Sequence, residues 1–173
     1  MVIGKMDLNN MKNFVISIFL LTSFYSYSQE CSSFYLIRHA EKLRIDKTER
    51  NPKLNEKGVL RANKWKEVFK NINLDKIYST DYNRTLETAN PTSKSQYIDI
   101  IIYSPRNIDF RNFKETNKGK EVLIVGHSNT IPNFVNGLIE EDFYDQIDDL
   151  NNSNLYLVNI CGDMISHQLF YVE

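Results

Sequence analysis

The stretch VLIVG, Val122 to Gly126, constrains the fold more than any other. It offers no polar position to water, so it reads as a strand buried on both faces, as in a parallel sheet covered by helices. The segments around it alternate accordingly. SFYLI (33–37) is a short apolar strand, and the polar stretch KLRIDKTERNPKLNEKG after it is a loop. Ala62, Trp65, Val68 and Phe69 recur at helical spacing and predict a helix over 58–70. LDKIYS (74–79) predicts a second strand. TDYNRTLETA (80–89) predicts a turn entering a short helix that Pro91 stops. YIDIIIY (97–103) predicts a third strand, and a helix follows VLIVG from about Ile131, with Pro132 in its first turn. LYLVNI and ISHQLFYV predict a terminal pair of strands turning at Gly162-Asp163. The expected architecture is α/β: a three-layer, mostly parallel sheet flanked by helices, with a C-terminal antiparallel hairpin. Residues 29–173 form one domain.

Residues 1–28 have a different character. Lys12 precedes the apolar run FVISIFLLTSF (14–24), and Ser26 and Ser28 provide small residues before Gln29. This pattern predicts a secretory signal peptide cleaved near residue 28, with Met11 as the effective start. The run is too short for a stable span, which takes about 20 residues. The expected location is periplasmic or extracellular, with no membrane span once the signal is removed. Export permits a disulfide between Cys31 and Cys161. Their separation alone does not bring them together, and they are read as two buried thiols.

The 21 basic and 22 acidic residues give a formal net charge of −1, which argues against nucleic acid as a partner. The acidic stretch EEDFYDQIDDL (140–150) is read as a solvated helix face.

Ligands of open α/β sheets bind beyond the carboxyl ends of the strands. SFYLI runs into Arg38-His39, the second strand leads through Ser79-Thr80-Asp81 to Arg84, and VLIVG runs into His127. Two of the chain's three histidines are therefore delivered to one sheet edge with two arginines. Arginine forks pair bidentately with phosphate oxygens. A neutral imidazole can attack phosphorus, and a protonated one can donate to the transition state. Singly, each residue has a plainer reading: Arg38 as a strand-end charge, His127 as a core histidine, Arg84 as a partner of Glu87. At three strand ends together they point to a phosphoryl group. No Gly-rich phosphate loop and no metal-binding carboxylate cluster accompanies them.

These residues lie in segments that resemble the histidine phosphatase superfamily, the phosphoglycerate mutase-like family, in its short single-domain form. FYLIRHAEK resembles the Arg-His-Gly/Ala signature. LNEKGVLRA (54–62), IYSTDYNRTLETA (77–89) and VLIVGHSNT (122–130) resemble the following family segments in order. The resemblance implies a metal-independent phosphatase in which His39 is the nucleophile and forms a phosphohistidine. Arg38, Arg84 and His127 complete the phosphate pocket, and no cofactor is expected. The partner implied is a small phosphorylated substrate or a phosphoprotein. Two positions where relatives carry an acidic residue are Ser104 and Ser128 here. Asp109 is then the first candidate for the acid that protonates the leaving group, with Asp81 and Glu41 behind it. The substituted acid leaves a second function open, a non-catalytic phosphate-binding module on the same fold.

Overall fold

The structure is a computed structural model that describes residues 30–45 and 48–173. The predicted signal segment lies outside the described residues. Ten elements follow in order: β1 (Cys31–Arg38), α1 (Glu56–Phe69), β2 (Lys76–Ser79), α2 (Asn83–Gln96), β3 (Ile100–Ile102), α3 (Phe110–Thr116), β4 (Glu121–Gly126), α4 (Thr130–Ile139), β5 (Asn154–Cys161) and β6 (Met164–Tyr171). The strands form one sheet in the order β3-β2-β4-β1-β5-β6. The first four in that order are parallel, whereas β5 runs antiparallel to both β1 and β6. This is the α/β architecture expected from the sequence, with its terminal antiparallel pair.

Burial on both sides explains the apolar runs. Val122 and Ile124 join Phe34, Leu36, Ile131 and Phe134 on one face of the sheet. Leu123 and Val125 join Ile37, Trp65, Phe69 and Ala89 on the other. Each fully buried large apolar side chain contributes about 1.5–3 kcal/mol, so β4 and β1 are firmly anchored in the core. They are also the strands that carry the two histidines at their ends.

Local rules account for most element ends. The Asn55 side chain accepts from Gly58 N at 2.8 Å and starts α1. Gly58 itself sits against the chain following β1; a Cβ there would lie 2.1 Å from the Glu41 carbonyl oxygen. Gly162, at φ 58°, makes the turn between β5 and β6.

Four expectations are corrected. Pro91 does not stop α2, which runs through it to Gln96. A proline inside a helix costs about 3 kcal/mol. The buried stripe Thr85, Thr88, Ala89 and Thr92 continues across it, and the Gln96 amide bonds Phe69 O and Leu74 N beyond it. The extra helical turns shorten β3 to three residues, and Tyr97 caps α2 in the left-handed region instead of starting a strand. The acidic stretch after α4 is not a helix face, because the helix ends at Ile139 and residues 142–148 have no regular structure. The two cysteines are not separate thiols. Cys31 and Cys161 face each other in the antiparallel ladder between β1 and β5, and a disulfide joins them.

Among the described residues no helix is long and apolar enough to cross a membrane.

Candidate active site

The carboxyl ends of β1, β2 and β4 open into a cavity of about 870 Å³ lined by Arg38, His39, Arg84 and His127, with Lys42, Asp81 and Arg106 at its sides. The sheet ladder places the histidines. His39 N donates to Gly126 O at 2.9 Å, one step beyond the last paired residues, Arg38 and Gly126. The two imidazoles therefore lie side by side, ring centroids 5.5 Å apart and roughly perpendicular. Gly126 is closely surrounded, since a Cβ would come within 2.9 Å of the Tyr103 hydroxyl and of Thr130 Oγ1.

Hydrogen bonding sets the tautomer of each ring. His39 Nδ1 lies 2.7 Å from the Ala40 carbonyl oxygen, which can only accept. Nδ1 thus carries the proton, and Nε2 keeps its lone pair. His127 Nδ1 lies 3.4 Å from Arg84 Nη2, which can only donate. The His127 proton is therefore on Nε2, donated to Thr80 Oγ1 at 2.9 Å. Thr80 passes its own hydroxyl to Thr85 Oγ1, and Thr85 bonds the Thr80 and Tyr82 carbonyl oxygens, so His127 is moored by a chain of hydroxyls.

Both rings are neutral at pH 7. Burial pushes the His39 pKa down from 6.5 to about 3, reinforced by Arg38 and Arg84 and opposed only by the bond to Ala40. Burial, then Arg84, Arg38 and Lys42, push His127 down to about 4. A neutral His39 with a free Nε2 is the form that attacks phosphorus. His127 sits where a bound dianion would raise its proton affinity.

The arginines differ in setting. Arg38 is buried and bonded through Nη1 and Nη2, with its Nε unpartnered. Arg84 is half-buried, lies over the Tyr82 ring at 4.4 Å and also has an unpartnered buried Nε. Unmatched buried N–H groups are costly, and here both belong to cationic side chains lining one cavity. The arrangement suits a tetrahedral oxyanion.

The predicted acids divide. Asp109 is not brought to the cavity; it caps α3 by accepting from Asn112 N at 3.0 Å, next to a separate hollow under Tyr103 and Phe113. Glu41 is tied to Arg61 through both oxygens and to Lys57. Asp99, which falls in the predicted third strand, is exposed just before β3. Asp81 does line the cavity. The other carboxylate there is Asp149, which pairs with Arg38 and Arg44 and is held below the ordinary aspartate range; burial opposes this shift, and the bonds to those arginines outweigh it. Glu87 does not pair with Arg84 and accepts from Leu54 N instead.

Sequence reasoning missed Thr80, Thr88, Tyr82 and the loop 147–152. Thr88 Oγ1 accepts from Ala40 N and donates to Arg84 O, locking the His39 turn to α2. The spacing Arg84-x-x-x-Thr88 carried this signal, because residues four apart share a helix face. Among the described residues no group of three or more His, Cys, Asp or Glu side chains is placed to hold a metal ion.

Paired histidines and arginines at the carboxyl edge of an α/β sheet are chemically suited to holding a phosphoryl group. Residues 34–105 match the family model of the histidine phosphatase superfamily, branch 1. No curated protein sequence matches it. Solved structures share its fold. The putative phosphohistidine phosphatase SixA of Agrobacterium tumefaciens is 21% identical over 80% of this chain and 97% of its own, with a TM-score of 0.57. The phosphoglycerate mutase of Bacillus anthracis is 14% identical, covering 82% and 93%, at 0.62. The protein histidine phosphatase SixA complexed with tungstate is 10% identical, covering 80% and 96%, at 0.63.

Proposed function

We propose that the protein is a metal-independent phosphatase that transfers a phosphoryl group from a phosphomonoester or phosphohistidine to His39 Nε2 and then to water. In the first step the P–N bond forms as the bond to the leaving group breaks. In the second, water attacks phosphorus, the P–N bond breaks and inorganic phosphate leaves. Arg38 and Arg84 hold the equatorial oxygens, and His127 donates to them once the bound dianion has raised its pKa. The observation that carries this reading is the His39 tautomer, with Nδ1 committed to Ala40 O and Nε2 left with its lone pair in a cavity that Arg38 and Arg84 also line. One structural neighbour is complexed with tungstate, a tetrahedral oxyanion, and that is the shape this cavity suits.

Asp81 is the proposed proton donor to the leaving group, because it is the cavity carboxylate not tied to an arginine. Its exposed position favours leaving groups that need little help. The same observation supports a second reading, a phosphate-binding module with little or no turnover. We also place the protein outside the cytoplasm, since the β1–β5 disulfide suits an oxidising compartment.

The test is hydrolysis of an aryl and an alkyl phosphate in chelator, beside His39→Ala. Turnover lost in the variant, with acid-labile phosphate trapped on the wild-type chain, is expected. Phosphate binding without turnover of either ester would establish the binding module instead.

A further inference from the structure

Arg38 is held by residues more than a hundred positions away. Its Nη1 donates to Asp148 O at 2.8 Å and Asn151 O at 2.9 Å, and its Nη2 donates to Asp149 Oδ1 at 2.6 Å. A guanidinium has five N–H groups. Those bonds leave the Nε–H, which has no protein partner, and one Nη2–H. The same loop, between α4 and β5, touches both histidine segments. Ile147 N donates to Ser128 O at 2.9 Å, beside His127, and Asn152 Nδ2 donates to His39 O at 2.8 Å.

The loop is itself anchored. Ile147 is buried in the core, and the Asn136 amide bonds the Tyr144 backbone through both its N and O. The Tyr144 hydroxyl meets His167 Nδ1 on β6 at 2.9 Å. The loop therefore acts as a strap wiring the pocket to the antiparallel half of the sheet.

Asp149 is the one side chain of this strap that meets Arg38, and its carboxylate is 59% exposed. Its other oxygen pairs with Arg44, also exposed, at 2.7 Å. Ion pairs as open as these add little to stability. Fixing the direction of a buried guanidinium is a different matter, because a charge-assisted bond adds geometry as well as energy. We infer that Asp149 is a positioning residue that turns Arg38 so that its remaining two N–H groups face the phosphoryl oxygens. This rests on the proposed function only in taking Arg38 as a phosphate ligand.

The competing role is a plug, in which the carboxylate occupies Arg38 until phosphate displaces it. The two roles separate because Asp149→Asn removes the charge and keeps the acceptor, whereas Asp149→Ala removes both. The measurement is the dissociation constant for inorganic phosphate, taken calorimetrically below both melting temperatures, together with kcat on an aryl phosphate. Asp149→Asn is expected to bind phosphate at least as tightly as wild type. Asp149→Ala is expected to bind about fivefold more weakly than Asp149→Asn, with kcat about tenfold lower. Asp145→Asn, the same charge change at an exposed residue of the strap, should alter neither. Equal binding by the two Asp149 variants overturns the inference, and tighter binding by Asp149→Ala makes Asp149 a plug. A wild-type chain that binds phosphate but hydrolyses nothing would defeat the phosphatase reading, and the Asn–Ala comparison would still decide the role of Asp149. A wild-type chain that binds no phosphate overturns both.

Discussion

The two arginines of the cavity are built in opposite ways. Arg38 ends a central strand, is 2% exposed and meets three fixed acceptors at 2.6–2.9 Å. Arg84 stands on the first turn of α2, leans on the Tyr82 ring, and makes only long contacts, 3.5 Å to Arg50 O and 3.4 Å to His127 Nδ1. One is set before any ligand arrives; the other can still adjust. Preorganised charge stabilises a transition state without reorganisation, and under the proposed function Arg38 is the more preorganised of the two.

The largest expected effect separates them by stability. Each alanine substitution should lower kcat/KM by about 10²–10³-fold. Arg38→Ala should also lose about 2–4 kcal/mol in urea unfolding, because it strands the Asp148 and Asn151 carbonyls that the guanidinium satisfies. Arg84→Ala should unfold like wild type. Equal losses of stability would end the distinction.

A second test uses the histidines. NMR titration of the free protein should leave both rings neutral at pH 5, where an ordinary histidine would be about 97% protonated. The folded pKa values lie below the unfolded value of 6.5. Stability is therefore fully present above pH 6.5 and falls as pH drops towards about 4 and then 3. Arg38→Ala should raise the His39 value more, and Arg84→Ala the His127 value more, following the nearer charge in each case.

Thr80→Val cuts the mooring of His127 and should reduce kcat by about tenfold, at about 1 kcal/mol for the lost bond. Tyr82→Leu removes only the ring under Arg84. It should raise KM about two- to fivefold, the 0.5–1 kcal/mol of an exposed cation–π contact. A larger effect than that of Thr80→Val would mean that Arg84 is as rigidly set as Arg38.

The arginine pair also marks what the sequence made legible. Strands β1 and β4 were readable because burial on both faces leaves no polar position, and so were the residues that follow them. The strap was not readable, since EEDFYDQIDDL has the composition of a solvated surface. One signal did exist: a buried arginine at a strand end needs acceptors, and the acidic run ahead of β5 supplies them. Pro91 misled because a local rule was set against a buried stripe that extends past it. Asp109 misled because its nearness along the chain to Ser104 says nothing of its position in space, where capping α3 takes its carboxylate away from the cavity. The cysteines became partners only through the register of β1 against β5, a pairing that sequence spacing does not carry.

That pairing has a consequence in time. β1 lies between β4 and β5, and the disulfide closing its far end joins residues 130 apart. A chain emerging from its amino end therefore presents His39 long before either flanking strand exists. His39 is made well before the strands that seat it, and contacts of such long range fold slowly. The cavity that His39 lines is therefore complete only once β4 and the strap ahead of β5 have been made and packed against β1.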